Sequence, residues 1–169
     1  LGIIGCTALL VTFFGIHDSI ADVAAQQFEE IQTYDLSVSL KPDAGGAVEQ
    51  SLDMLESSGV ESYLRVMETN MDIVTDKGIK SVYLVAGEPS HMGEYLDMHT
   101  SAGEPIPYPE AGEGVITRKL AKQYGIRAGD VVSLRDGDMR ELSVRISAVM
   151  ENYIYNYVYI DQATWREAF

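Results

Sequence analysis

Residues 1–16, LGIIGCTALLVTFFGI, carry no charged side chain, so the whole net charge of −14 falls on residues 17–169. No other feature limits the fold as strongly. Sixteen apolar residues fall just short of the roughly 20 that cross a bilayer core as a helix. The run opens on Leu1 with neither Met nor a basic flank, and we expect it to be the end of a longer transmembrane helix. A helix buried in a soluble core usually keeps a polar stripe, whereas only Thr7 and Thr12 are polar here, and both hydroxyls can turn back to the helix backbone. Gly2, Gly5 and Ala8 form a small-residue flank on which another membrane helix can approach closely.

A processed leader is the competing reading. The tetrapeptide IIGC, residues 3–6, loosely matches the site at which bacterial lipoproteins are cut before a lipidated cysteine. A mature chain normally turns polar past such a site. Here TALLVTFFGI follows and stays apolar, which favours a span. Cys6, the single cysteine, then acts as a small apolar residue, and no intrachain disulfide can form.

HDSIADVAAQQFEEIQTYDL follows directly. Ile20, Val23, Ala24, Phe28 and Ile31 recur at spacings of three and four, and neither Gly nor Pro interrupts the chain between Ile16 and Tyr34. Residues 17–32 therefore read as an amphipathic stalk that continues the membrane helix. At 1.5 Å per residue, 1–32 would span about 48 Å, well beyond a bilayer core. The stalk is either a rigid lever or a connector hinged near Gly15.

Residues 33–169 have the composition of a folded domain, and 169 residues suit one domain plus an appendage. Their acidity repels phosphate backbones and anionic headgroups, which argues against nucleic acid as a partner. YDLSVSLK (34–41) alternates as a strand, and 47–57 places Val48, Leu52 and Leu55 on one helical face with Gly59 as a stop. Residues 60–76 and 78–88 read as two strands about a turn at Asp76-Lys77-Gly78. The first half is thus split-βαβ-like. Residues 89–114 hold four of the five prolines and read as an irregular surface excursion with a short helix at 91–98. Beyond it come a short strand, a helix with Leu120 and Tyr124 inward and Gly125 as a stop, a strand, and an Asp136-Gly137 hairpin. In ELSVRISAVME (141–151), Leu142, Val144, Ile146 and Ala148 should face inward. The fold class is α+β: a helix followed by a mixed, largely antiparallel sheet, with a βαββ second half.

No catalytic pattern in the chain stands above chance. The chain has no nucleophile elbow, no phosphate-binding loop, no dinucleotide fingerprint and no HExxH. His91, Glu94 and His99 can be drawn as metal ligands, but exposed polar residues are the simpler reading, so no catalytic, cofactor or metal residue is assigned.

GEGVITRKLAKQYGIRAGDVVSLRDGDMRELSVRISAVMENYIYNYVYID (112–161) resembles the extracytoplasmic domain of FtsX-like, MacB-type permeases of ABC transporters. The resemblance is carried by Gly114, Val115, Ile116, Leu120, Ala121, Gly125, Ile126, Gly129 and Asp130, then Glu151-Asn152-Tyr153 and Tyr157 to Ile160. The opening helix resembles the first transmembrane helix of multi-span members. The resemblance implies a multi-pass cell-membrane permease, working as a dimer with a separate cytoplasmic ATPase that binds the ATP. It implies no enzymatic activity and no cofactor in this chain, and an outside domain that moves lipid, peptide or protein. A peptide-sensing module and a membrane-anchored enzyme are the alternatives.

Tyr153, Tyr155, Tyr157 and Tyr159 occupy alternate positions. The resembling pattern breaks near Tyr155-Asn156. One strand should therefore end near Tyr153 and another begin at Tyr157, with Tyr157 and Tyr159 on one face and Val158 and Ile160 on the other. The rings either pack the sheet, line a groove for a partner or substrate, or form an interface belt with Trp165.

Overall fold

The computed structural model describes residues 2–40, 50, 54–55 and 58–169. Helix α1, Gly2–Ala25, runs without a break through Gly15 into a six-residue π-helical turn, Gln26–Ile31. The π turn is closed by the Gln32 N–H donating to the Gln27 carbonyl at 3.0 Å. Thr12 and Ser19 return their hydroxyls to the Ala8 and Gly15 carbonyls at 2.8 and 2.7 Å, so even the polar side chains of this helix are satisfied locally. The helix from Ile4 to Ile31 is long and apolar enough to cross a membrane, and its most apolar stretch is entirely uncovered by the rest of the chain.

Six strands follow: β1 (Met67–Thr75), β2 (Gly78–Gly87), β3 (Glu113–Thr117), β4 (Val131–Arg135), β5 (Glu141–Met150) and β6 (Tyr157–Asp161). They close into a barrel in the order β1-β2-β6-β3-β5-β4. The β2–β6 and β3–β5 pairs are parallel and the others antiparallel. Three short helices accompany them among the described residues: α2 (Pro89–Met92), α3 (Arg118–Tyr124) and α4 (Gln162–Ala168). Closure gives each strand a neighbour on both sides, although residues 67–71 of β1 and 78–82 of β2 pair on one side only.

Period-two alternation sorts the side chains between two cores. Met71, Ile73, Val82, Leu84, Ile116, Leu134, Val144, Ile146, Val158 and Ile160 fill the barrel, with Leu120, Ala121 and Ile126 packed into the same cluster. Val85, Val115, Met150 and Tyr159 point outward, and Ile31, Met92, Leu96, Met98 and Ile106 cover them. The second core thus joins the foot of the long helix to the outer face of the sheet.

Several sequence expectations change here. Residues 34–40 form no strand, and Leu36, Val38 and Leu40 are exposed; alternation without a partner ladder does not make a strand. Of the helix expected over 47–57, only Gln50, Met54 and Leu55 are described, all helical, and the rest lies outside the described residues. The first strand begins at Met67 instead of residue 60. Helix α2 ends at Met92, where the chain bends so that Leu96 can bridge to Gln32. Residues 89–112 are no surface excursion, because they supply much of the second core. Ala148 is not in the barrel. A register shift opposite Gly114/Val115 adds one residue to β5 after Ile146, which reverses the parity and turns Ala148 and Met150 toward the outer core.

The expected turns are in place. Gly129 adopts φ +96° and Gly125 ends α3 at φ +73°, conformations that a side chain makes costly. Gly87 is required for a different reason. A Cβ there would lie 2.3 Å from the Met92 Sδ, so the cover over the sheet sits directly on its backbone.

Candidate functional site

Among the described residues, the foot of the helix is the place where the apolar element is bound into the barrel. Of the apolar stripe expected on the stalk, Ile31 alone makes this joint, while Ile20, Val23, Ala24 and Phe28 are exposed. Gln27 and Ile31 are the residues that are buried. The Gln27 amide is fully used. Its Nε2 donates to Asn152 Oδ1 at 2.9 Å, and its Oε1 accepts from the Tyr153 and Ile154 N–H groups at 3.0 and 3.2 Å. Asn152 is itself buried, and its Nδ2 donates to the carbonyl of Ile154 and, at 3.5 Å, to that of Tyr155. One side chain of the helix therefore ties down residues 152–154, the middle of the β5–β6 connection. A buried polar network of this kind fixes a unique geometry because each broken bond leaves a partner unsatisfied.

Backbone pairing extends the joint. The Asp97 N–H donates to the Ile31 carbonyl at 2.9 Å and the Thr33 N–H to the Tyr95 carbonyl at 3.1 Å. Glu151, buried beside Asn152, is held by Arg118 at 2.7 Å, and its N–H donates to the His99 carbonyl at 2.8 Å. Glu151-Asn152-Tyr153, conspicuous in the sequence, thus links three parts of the fold. Glu151 reaches α3 and the segment at His99, while Asn152 and the Tyr153 backbone reach the helix foot.

The tyrosines separate into two groups. As expected, β5 ends before Tyr153 and β6 begins at Tyr157, with Val158 and Ile160 inside the barrel and Tyr157 and Tyr159 outside. The Tyr157 and Tyr159 rings stack at 5.6 Å. Tyr83 joins them from β2, at 5.6 Å from Tyr157 and 5.2 Å from Tyr155. Tyr153 makes none of these ring contacts among the described residues. Tyr155 is 60% exposed at φ +64°. Sequence reasoning missed Tyr83 and Tyr108, which lie far from the run and meet it only through strand pairing. The Tyr108 hydroxyl donates to the Ile160 carbonyl at 2.9 Å and accepts from the Gly87 N–H at 3.1 Å, so it staples β2 to β6.

Burial sets the acidity of these phenols. Desolvation, reinforced by the charge of Glu68, pushes Tyr157 up to about 12. Desolvation, then the neighbouring phenols Tyr157 and Tyr108, raises Tyr159 well above the ordinary tyrosine range. Tyr108 is likewise raised, chiefly by burial.

No group of three or more His, Cys, Asp or Glu gathers in metal-holding geometry among the described residues. His91 faces Glu94 and His99 faces Asp97, each at 3.9 Å, as two separate pairs. The structure therefore does not bring His91 and His99 into one site.

No family model matches the chain, and no curated protein matches it. Among solved structures it is similar to the extracellular domain of YknZ, a noncanonic ABC-type transporter from Gram-positive bacteria. The likeness is one of fold. The TM-score is 0.51 at 14% identity, over 72% of this chain and 65% of the length of that domain.

Proposed function

We propose that the chain is the extracytoplasmic domain, with its anchoring helix, of an FtsX-like ABC transporter permease. In this reading residues 1–16 lie in the bilayer, 17–32 form the stalk and 33–169 stand outside. The domain has no catalysis of its own. It works in a multi-pass permease dimer beside a cytoplasmic ATPase, and passes membrane-helix motion to a lipid, peptide or protein outside.

The observation that carries this reading is the joint at Gln27. A helix whose upper part is exposed and apolar ends in a foot buried in the barrel's outer core and hydrogen-bonded to the β5–β6 connection. Such a foot cannot shift without disturbing that connection. The uncovered apolar length fits a lipid environment, and the similar fold comes from a transporter's extracellular domain. The test is to insert Gly-Gly-Pro near Ala24 in the whole transporter. Loss of coupling between ATP hydrolysis and output is the expected result, and unchanged coupling would defeat the lever.

A further inference from the structure

Strand register arranges the outer face of the barrel in rows. Asn70 of β1 is opposite Tyr83 of β2, which is opposite Tyr157 of β6. In the next row Glu68 is opposite Val85, which is opposite Tyr159. Glu68 is therefore the diagonal neighbour of Tyr83, within reach of the same ligand. Glu68 is exposed, Tyr83 and Tyr157 are half-buried, and Tyr155 is 60% exposed. The cover of residues 89–112 that buries Tyr159 leaves these rings accessible.

Tyr155 is held in an unusual way. Its φ of +64° lies in the left-handed region, where a Cβ is unfavourable and Gly or Asn is the ordinary occupant. The turn is fixed from below by Asn152 Nδ2, which reaches the Ile154 and Tyr155 carbonyls. A strained backbone thus carries a large ring into solvent, edge-on to Tyr83 at 5.2 Å. The ring also meets Tyr157 edge-on at 6.4 Å, yet Tyr155 belongs to neither core. Strain that holds a ring at the surface, outside both cores, points to a recognition surface.

We propose that Tyr83, Tyr155, Tyr157 and Glu68 form a shelf that binds the cationic side chains, Arg or Lys, of a peptide segment. Ring faces attract a guanidinium or ammonium through their quadrupole, and a carboxylate alongside adds Coulomb attraction. The net charge of −14 concentrates cations around the domain and repels anionic ligands.

This does not rest on the lever. A Gly-Gly-Pro break near Ala24 would disconnect the helix and leave the shelf intact. The test uses the full chain in non-ionic detergent, titrated calorimetrically with octa-arginine, octa-glutamate and an uncharged Gly-Ser octapeptide at 0.15 M salt. Saturable binding of octa-arginine alone is expected. Tyr155→Gly and Tyr155→Asn keep the net charge and suit the left-handed turn, so they should fold. Each should weaken octa-arginine about two- to fivefold, the range of one lost cation–π contact at an exposed site. Glu68→Gln should weaken it and reduce the salt dependence. Octa-arginine binding unchanged in both Tyr155 variants would mean attraction to a generally acidic surface and would overturn the shelf. Equal binding of the Gly-Ser or glutamate peptide, or no binding at all, would overturn it as well.

Discussion

Replacing Gln27 by Leu isolates the hydrogen-bonding role of the helix foot, because the side-chain volume is nearly kept. The substitution removes one bond to Asn152 Oδ1 and the shared acceptor of the Tyr153 and Ile154 N–H groups. Each orphaned buried group costs about 1–3 kcal/mol, and the two N–H groups are only part-buried, which puts each near the low end. Three such losses sum to about 3 kcal/mol at the β5–β6 connection. A tenfold change in an equilibrium corresponds to about 1.4 kcal/mol, so local opening should become roughly a hundredfold more frequent. Native-state amide exchange followed by NMR reads this directly. The Tyr153 and Ile154 amides should lose about two decades of protection in Gln27→Leu. Amides of Ile73 and Leu134, paired across β1 and β4 on the far side of the barrel, should change little. Gln27→Glu retains an acceptor for both N–H groups and should fall between. Full protection of Tyr153 and Ile154 in Gln27→Leu would refute the claim that this amide organises the connection.

Arg118→Ala should destabilise the domain by about 1–3 kcal/mol in denaturant titrations, because Glu151 is left buried without its cation. The value is held below that of a fully buried pair because Arg118 is 40% exposed. Gly87→Ala should cost about 1–3 kcal/mol, since Met92 must leave its seat on the β2 backbone, and thermal melts measure the loss. Tyr157 has a folded pKa of about 12, above the ordinary tyrosine value, and Tyr159 and Tyr108 are also raised. The stability these phenols contribute is complete below pH 10. It falls as pH rises toward 12, because the unfolded chain releases those protons first. Ultraviolet titration should therefore show phenols that ionise only with unfolding; ionisation of all ten tyrosines near pH 10 in the folded chain would contradict their burial.

The long helix, the Asp76–Gly78 and Asp136–Gly137 turns, and the facing of Tyr157 against Val158 were legible because local periodicity and turn chemistry decide them. Barrel closure was not. It depends on parallel pairing of β2 with β6 and of β3 with β5, contacts between distant segments that leave no periodic trace. The parity of Ala148 was lost to a single extra residue in β5. Strand 34–41 was expected because its alternation is clean, yet a strand needs a neighbour and 34–40 have none among the described residues. Gln27 was hidden for a general reason. A polar residue on an amphipathic helix reads as solvent-facing, and only its partner Asn152, within Glu151-Asn152-Tyr153, gave any signal.

The central claim is that the apolar helix is rigidly rooted in the barrel through Gln27. Spin labels at Asp22→Cys on the helix and Ser81→Cys on β2, with Cys6→Ser, report the geometry of that root in lipid nanodiscs by pulsed electron resonance. A single narrow distance distribution is expected, broadening when Gln27→Leu is added. A broad distribution in the parent, or one that Gln27→Leu leaves unchanged, would contradict the claim.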